Sequence, residues 1–302
     1  VKRIGALFAM FALLASTFAA NAQEGFDGYS NVLLPEAGYP ELVVTVGPSG
    51  IDAPGTVEAG FYLITLKAEN DDQLAYMNIV SPPDGLSDEE TTAQLLEAGN
   101  GDVVRHGWTF FGGTNSPEPG EDASFAIELQ EGEYLIGASH YSDDQQGADE
   151  VMLISDLVVT PRVSDDVQTA PEASVTVEMT DDLEYIISPD PIASGPQIWE
   201  ITNSGVHHSH HMVMVGVPDG TTAEQIIDEA GSLFSGTPPA GPGVFSQFTG
   251  GGYAALISGG NTNWFEFDLT PGTYALICFI MEDGVYRPHL LDGMVTVFTV
   301  GE

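Results

Sequence analysis

Residues Gly272 to Glu302 read GTYALICFIMEDGVYRPHLLDGMVTVFTVGE, and their reading decides the fold. Two apolar, strand-like runs, Gly272 to Cys278 and Val295 to Val300, flank a loop. Short apolar runs between turn signals are the mark of buried strands. Cys278, the one cysteine of the chain, ends the first run. His289 follows eleven residues later, and Met294 stands immediately before the second run. A thiolate, an imidazole and a thioether are thus delivered by one loop between two strands. Soft sulfur beside imidazole is a donor set that copper selects, with a second imidazole needed to complete it.

Working back along the chain, each of these features has a partner. Pro218-Asp219-Gly220 repeats Pro83-Asp84-Gly85 at a distance of 135 residues. After each turn stands a capping box, Ser87-x-x-Glu90 and Thr222-x-x-Gln225, which predicts one short helix per unit. Strand-like runs Gly60–Leu66, Met77–Val80, Ala123–Leu129 and Ile154–Thr160 have counterparts at Gln197–Thr202, Met212–Val217, Trp264–Leu269 and Val295–Val300. Gly132-Glu133-Tyr134 returns as Gly272-Thr273-Tyr274, now 140 residues on, so five extra residues fall in the Gly- and Pro-rich loop of the second unit. The expected fold is all-β: two tandem antiparallel β-sandwich (Greek-key) domains, each with a short inserted helix. Their expected limits are 23–162 and 173–302, joined by a polar, Pro-containing stretch.

The first residues read as an export signal. Lys2 and Arg3 precede an apolar run, and Ala20-Asn21-Ala22 is a cleavage site, so 1–22 is expected to be removed and the protein to be periplasmic or extracellular. No run is long enough for a membrane span. With 45 acidic against 6 basic residues, the formal charge is −39. Such a field excludes the phosphate-neutralising modes of nucleic-acid binding, and it suits a solvated surface in high salt.

The missing imidazole is sought in Asn203-Ser204-Gly205-Val206-His207-His208-Ser209-His210-His211, which holds four of the seven histidines just before a strand. Here the chain resembles the cupredoxins, the blue (type 1) copper proteins. His289-x4-Met294 and the Gly293-Met294 ending are similar to their C-terminal loop, and HHMVMVGVPDG with GTYALICF…RPHLLDGM looks like a group of exported bacterial cupredoxin-like domains. The resemblance covers the second unit. It implies a type 1 copper held by His210, Cys278, His289 and Met294, with His211 as the alternative to His210 and Asn203 stiffening the histidine loop. Ten residues separate Cys278 from His289, a longer loop than in the plastocyanin-like and nitrite-reductase-like patterns. In the first unit Ala138 stands for Cys278, Ala75 for His210 and Tyr76 for His211, so that copy is expected to lack the metal set.

The implied activity is one-electron transfer to a redox partner that the sequence does not name. No enzyme is expected, because Ile277 and Phe279 flank Cys278 where multicopper oxidases place histidines. The competing readings are copper storage or delivery through the histidine loop with Met212 and Met214, and a metal-free structural or adhesion sandwich.

Overall fold

A computed structural model describes residues 28–98, 103–104, 107–116, 118–142, 151–163, 167–237, 241–282 and 287–301. The expected signal peptide, 1–22, lies outside the described residues. The first half contributes β1 (Glu41–Gly47), β2 (Gly50–Asp52), β3 (Thr56–Glu58), β4 (Gly60–Ala68), β5 (Gln73–Ser81), helix α1 (Asp88–Ala98), β6 (Val103–Val104), β7 (Thr109–Asn115), β8 (Ala123–Leu129), β9 (Gly132–Ser142) and β10 (Val151–Thr160). The second contributes β11 (Val175–Met179), β12 (Tyr185–Ser188), β13 (Ile192–Ala193), β14 (Gly195–Asn203), β15 (His210–Val217), helix α2 (Ala223–Phe234), β16 (Thr249–Ile257), β17 (Thr262–Leu269), β18 (Gly272–Ile277), β19 (Met281–Glu282) and β20 (Val295–Gly301). Every strand expected from the repeat is present. Both capping boxes close: Ser87 and Glu90 exchange bonds of 2.9 and 3.3 Å, and Thr222 and Gln225 bonds of 3.0 and 3.3 Å.

Two large sheets form an all-β sandwich. One runs β12-β11-β14-β17-β8-β4-β1-β2, the other β13-β20-β18-β15-β16-β7-β5-β9-β10-β3. Read outward from its centre, each sheet pairs every strand with its own repeat copy: β17 with β8, β14 with β4, β16 with β7, β15 with β5. The halves are therefore related by a pseudo-two-fold axis and share both sheets. At the axis Phe265 opposes Phe125 across β17 and β8, with rings stacked at 5.5 Å. Most ladders are antiparallel, but β1 lies parallel to β4 and β11 parallel to β14. A parallel pair needs a crossover. In the first half the chain makes it by sending β3 to β10 in the opposite sheet before returning as β4.

The main core fills the space between the sheets, with Trp199, Phe125, Phe265, Phe267 and Met77 fully buried. A second apolar cluster covers the outer face of the second half, where α2 sets Ile226 and Ala230 against Val215, Ile277, Leu290 and Leu291.

The segment before β1 crosses onto the second half. Tyr29 bridges to Phe267, and the buried carboxylate of Glu266 accepts the backbone N–H groups of Val32, Leu33 and Leu34 at 2.8–3.0 Å. These donors open a short 3-10 helix, Leu34–Ala37, and no side chain at its N-cap serves them. Glu266→Ala leaves them without that acceptor and is expected to cost about 2–4 kcal/mol. The check is the urea midpoint of the metal-free protein, with Glu266→Gln, which keeps one acceptor oxygen, falling in between.

Candidate metal centre

Alternation along β15 places His210 with Met212 and Met214 on the face that lines the core, and His211 with Val213 and Val215 on the other. Cys278 follows the end of β18, one residue beyond Ile277, which pairs with Val213. The chain then folds back on itself. His289 N–H donates to the Ile280 carbonyl at 2.9 Å and Leu290 N–H to that of Cys278 at 2.8 Å. His289 begins a 3-10 turn that ends at Gly293 with φ of 110°, in the region that favours glycine. That reversal returns Met294 to the site. Its N–H donates to the His289 carbonyl at 3.0 Å, and its carbonyl accepts from Cys278 N–H at 3.2 Å. The Gly293-Met294 pair thus has a backbone reason.

The side chains converge. His210 Nδ1 lies 3.1 Å from His289 Nδ1, and Cys278 Sγ lies 3.6 Å from the same His289 nitrogen. All three donor atoms fall within 4.8 Å of one another. His210 and Cys278 are fully buried, as is Met294, and His289 is nearly so. Bonds of about 2.0 Å to nitrogen and about 2.3 Å to sulfur would span the two separations of 3.1 and 3.6 Å. The donor set, one thiolate and two imidazoles beside a buried thioether, is a set for copper. His210 Nε2 is buried without a hydrogen-bond partner, with the Thr180 backbone as its neighbour.

His211 stands outside this cluster. Its Nε2 accepts the backbone N–H of Phe279 at 2.8 Å, which fixes the residue after the cysteine. Burial lowers the pKa of both histidines to about 3, reinforced by their imidazole neighbours. Burial likewise pushes the Cys278 thiol up to about 12, opposed by backbone N–H groups of His211 and Ile280 and by the Tyr185 hydroxyl. A metal must therefore displace the thiol proton but finds the His210 imidazole already neutral. His207 is exposed. His208 is only partly so, its ring set edge to face on His289 at 5.5 Å.

Asn203 ties the histidine loop to its neighbours by hydrogen bonds. Its amide nitrogen donates to the carbonyls of His208 and Ile257, both at 2.8 Å, and its oxygen accepts Gly205 N–H at 2.9 Å. Asp181, which sequence reasoning passed over, accepts the N–H groups of Val206, His207 and His208 at 2.9–3.2 Å. A Cβ at Gly205 would lie 2.4 Å from that carboxylate, which would have to shift to admit it. Asn203→Ala removes three bonds from a buried site and is expected to destabilise by about 2–3 kcal/mol, read from urea unfolding of the metal-free protein.

The described part of the ten-residue interval before His289 has a place as well. Met281–Glu282 leaves the site as β19 and pairs in parallel with β6, Val103–Val104 of the first half. The chain returns at Arg287, which bonds Asp292 at 2.7 Å. The first half thus grips the loop that carries the ligands.

No protein-family model matches the chain, and no curated protein does. Among solved structures it is similar to the auracyanin of the photosynthetic bacterium Roseiflexus castenholzii, at 24% identity over 43% of this chain and 100% of that one, TM-score 0.27. It is similar to auracyanin A, a blue copper protein of Chloroflexus aurantiacus, at 17% identity over 42% and 98%, TM-score 0.27. A copper-containing nitrite reductase of Thermus scotoductus matches at 11% identity over 86% of this chain and 61% of that one, TM-score 0.24. At these values the likeness carries no argument about chemistry, which rests on the donor set itself. One expectation is corrected: that the chain is not an enzyme. The matched structures include the nitrite reductase, a multicopper oxidase and a blue copper oxidase from Nitrosomonas europaea, and these are enzymes. The physical reason is that a one-electron copper centre serves a carrier and a reductase or oxidase alike, so the flanks of Cys278 do not decide the matter.

Proposed function

We propose that His210, Cys278 and His289, with Met294, would hold one type 1 copper, through which the chain would pass single electrons. The observation that carries this reading is the convergence of two Nδ1 atoms and one Sγ, 3.1 and 3.6 Å apart, in a buried pocket between packed strands. When bound, copper supplies a Cu(I)/Cu(II) couple. The chain's part is to hold the donors so that neither oxidation state needs rearrangement. His210 is fixed by β15, Cys278 by β18, and His289 with Met294 by the backbone bonds of the closing turn. Burial keeps water from the sulfur. The first half, 23–162, is the copy without metal, and 173–302 carries the site. The sequence of 1–22 supports export to the periplasm or beyond.

Copper storage finds less support, since Met212 and Met214 are buried in the core rather than presented to solvent. A purely structural module would have no use for a thiol and two imidazoles sequestered together, because buried polar groups are costly. The test is addition of Cu(II) to the purified protein in high salt, read by visible and electron paramagnetic resonance spectra. An intense thiolate-to-copper band is expected; its absence sinks the reading.

A further inference from the structure

A buried donor set needs a way in for its ion. His210 and Cys278 are fully buried and His289 is 4% exposed, so the donors themselves scarcely meet solvent. His208 lies against them and is partly exposed. Its ring stands on that of His289 at a centroid distance of 5.5 Å and an interplanar angle of 78°, and beside that of His210 at 6.1 Å and 46°. The two inner rings are 5.0 Å apart. Three imidazoles are thus packed together, and the outermost leads on to the exposed His207.

The loop holds His208 there by its backbone. Its N–H donates to the Asp181 carboxylate at 3.2 Å, and its carbonyl accepts from the Asn203 amide at 2.8 Å. Its side chain is not one of the three whose donor atoms come within 4.8 Å of one another. His208 therefore stands next to the donor set without belonging to it. A partly exposed side chain on a tied backbone still changes rotamer quickly, whereas His210 is fixed within β15. Imidazole suits copper as a ligand, and a chain at −39 concentrates cations at its surface.

We infer that His208 is the entry ligand of the centre: its imidazole takes an ion from solvent, passes it to His289 and His210, and lets go once Cys278 has closed the set. The inference rests on the copper reading above. The passage is ligand exchange, imidazole for imidazole, with no change of oxidation state. Such a residue speeds arrival and departure alike and leaves the equilibrium where it was, because the route is the same in both directions.

The experiment mixes Cu(II) with the purified full chain by stopped flow and follows the growth of the thiolate-to-copper band. His208→Phe keeps a ring against His289 and removes both nitrogens. An ion held on the loop meets the inner donors at an effective concentration of about millimolar, so at micromolar copper the variant's uptake is expected to slow by about tenfold or more. Release to a chelator is expected to slow by the same factor, with the final band and the affinity as in the wild type. His208→Ala, which opens the path, is expected to be slow as well. A ring that served only as a cover would behave oppositely, its removal speeding uptake. Uptake at or above the wild-type rate in either variant overturns the inference while the copper reading stands. So does a changed band or a weakened affinity in His208→Phe, which would make His208 a resident ligand. If His208→Phe fails to fold, the rates of His208→Ala decide alone. Absence of the band in the wild-type protein overturns the copper reading and this inference together.

Discussion

Cys278→Ala is expected to abolish the thiolate-to-copper band completely, with little change in the fold. The side chain is fully buried at the end of β18, where an alanine fits: the first half places Ala138, also fully buried, at the corresponding position. What is lost is the one sulfur that both binds strongly and carries charge transfer. The two imidazoles remain 3.1 Å apart, so the variant still offers a weak, colourless site. Copper binding by calorimetry and colour by spectroscopy should therefore separate. A variant as blue as wild type would show that the sulfur is no ligand and would falsify the proposed centre.

The second large effect is acid destabilisation of the metal-free protein. His210 and His211 have pKa values of about 3 in the fold against 6.5 for the ordinary side chain. Between those values the unfolded chain binds protons that the folded chain refuses. Stability is therefore full above pH 6.5 and is lost as pH falls toward 3. With both groups contributing, the slope reaches up to about 2.7 kcal/mol per pH unit. At lower pH an opposing effect enters, since protonating some of the 45 carboxylates relieves the self-repulsion of a chain at −39. The window from pH 6.5 to 5 separates the two, because most carboxylates are still ionised there. Urea midpoints across that window in high salt should fall steadily, and His211→Gln should halve the slope. A flat profile would remove the burial argument for both histidines.

The parts of this molecule that were legible in sequence are those written locally. Strand runs, Pro-Asp-Gly turns and capping boxes each occupy a few consecutive residues, and the repeat states them twice. The order Cys278, His289, Met294 was readable because one loop carries all three. The choice between His210 and His211 is one of strand parity, and β15 gives His210 the core-lining face. What stayed hidden depends on distant pairing. Asp181 and Glu266 are two acids among 45, and their roles come from backbone N–H groups 25 and more than 230 residues away. The length of the loop after Cys278 looked like a departure from pattern until β19 found β6.

The pseudo-two-fold arrangement has a consequence for solubility. A sandwich half standing alone would present the edges of β8 and β7, or of β17 and β16, as open templates for pairing with another chain. Fused about the axis, those edges satisfy each other inside one molecule. The strands left on the outside are β2, β3, β12 and β13, of three, three, four and two residues. Strands so short give a second chain almost nothing to extend, which guards against edge-to-edge aggregation in salt that screens the protein's own charge.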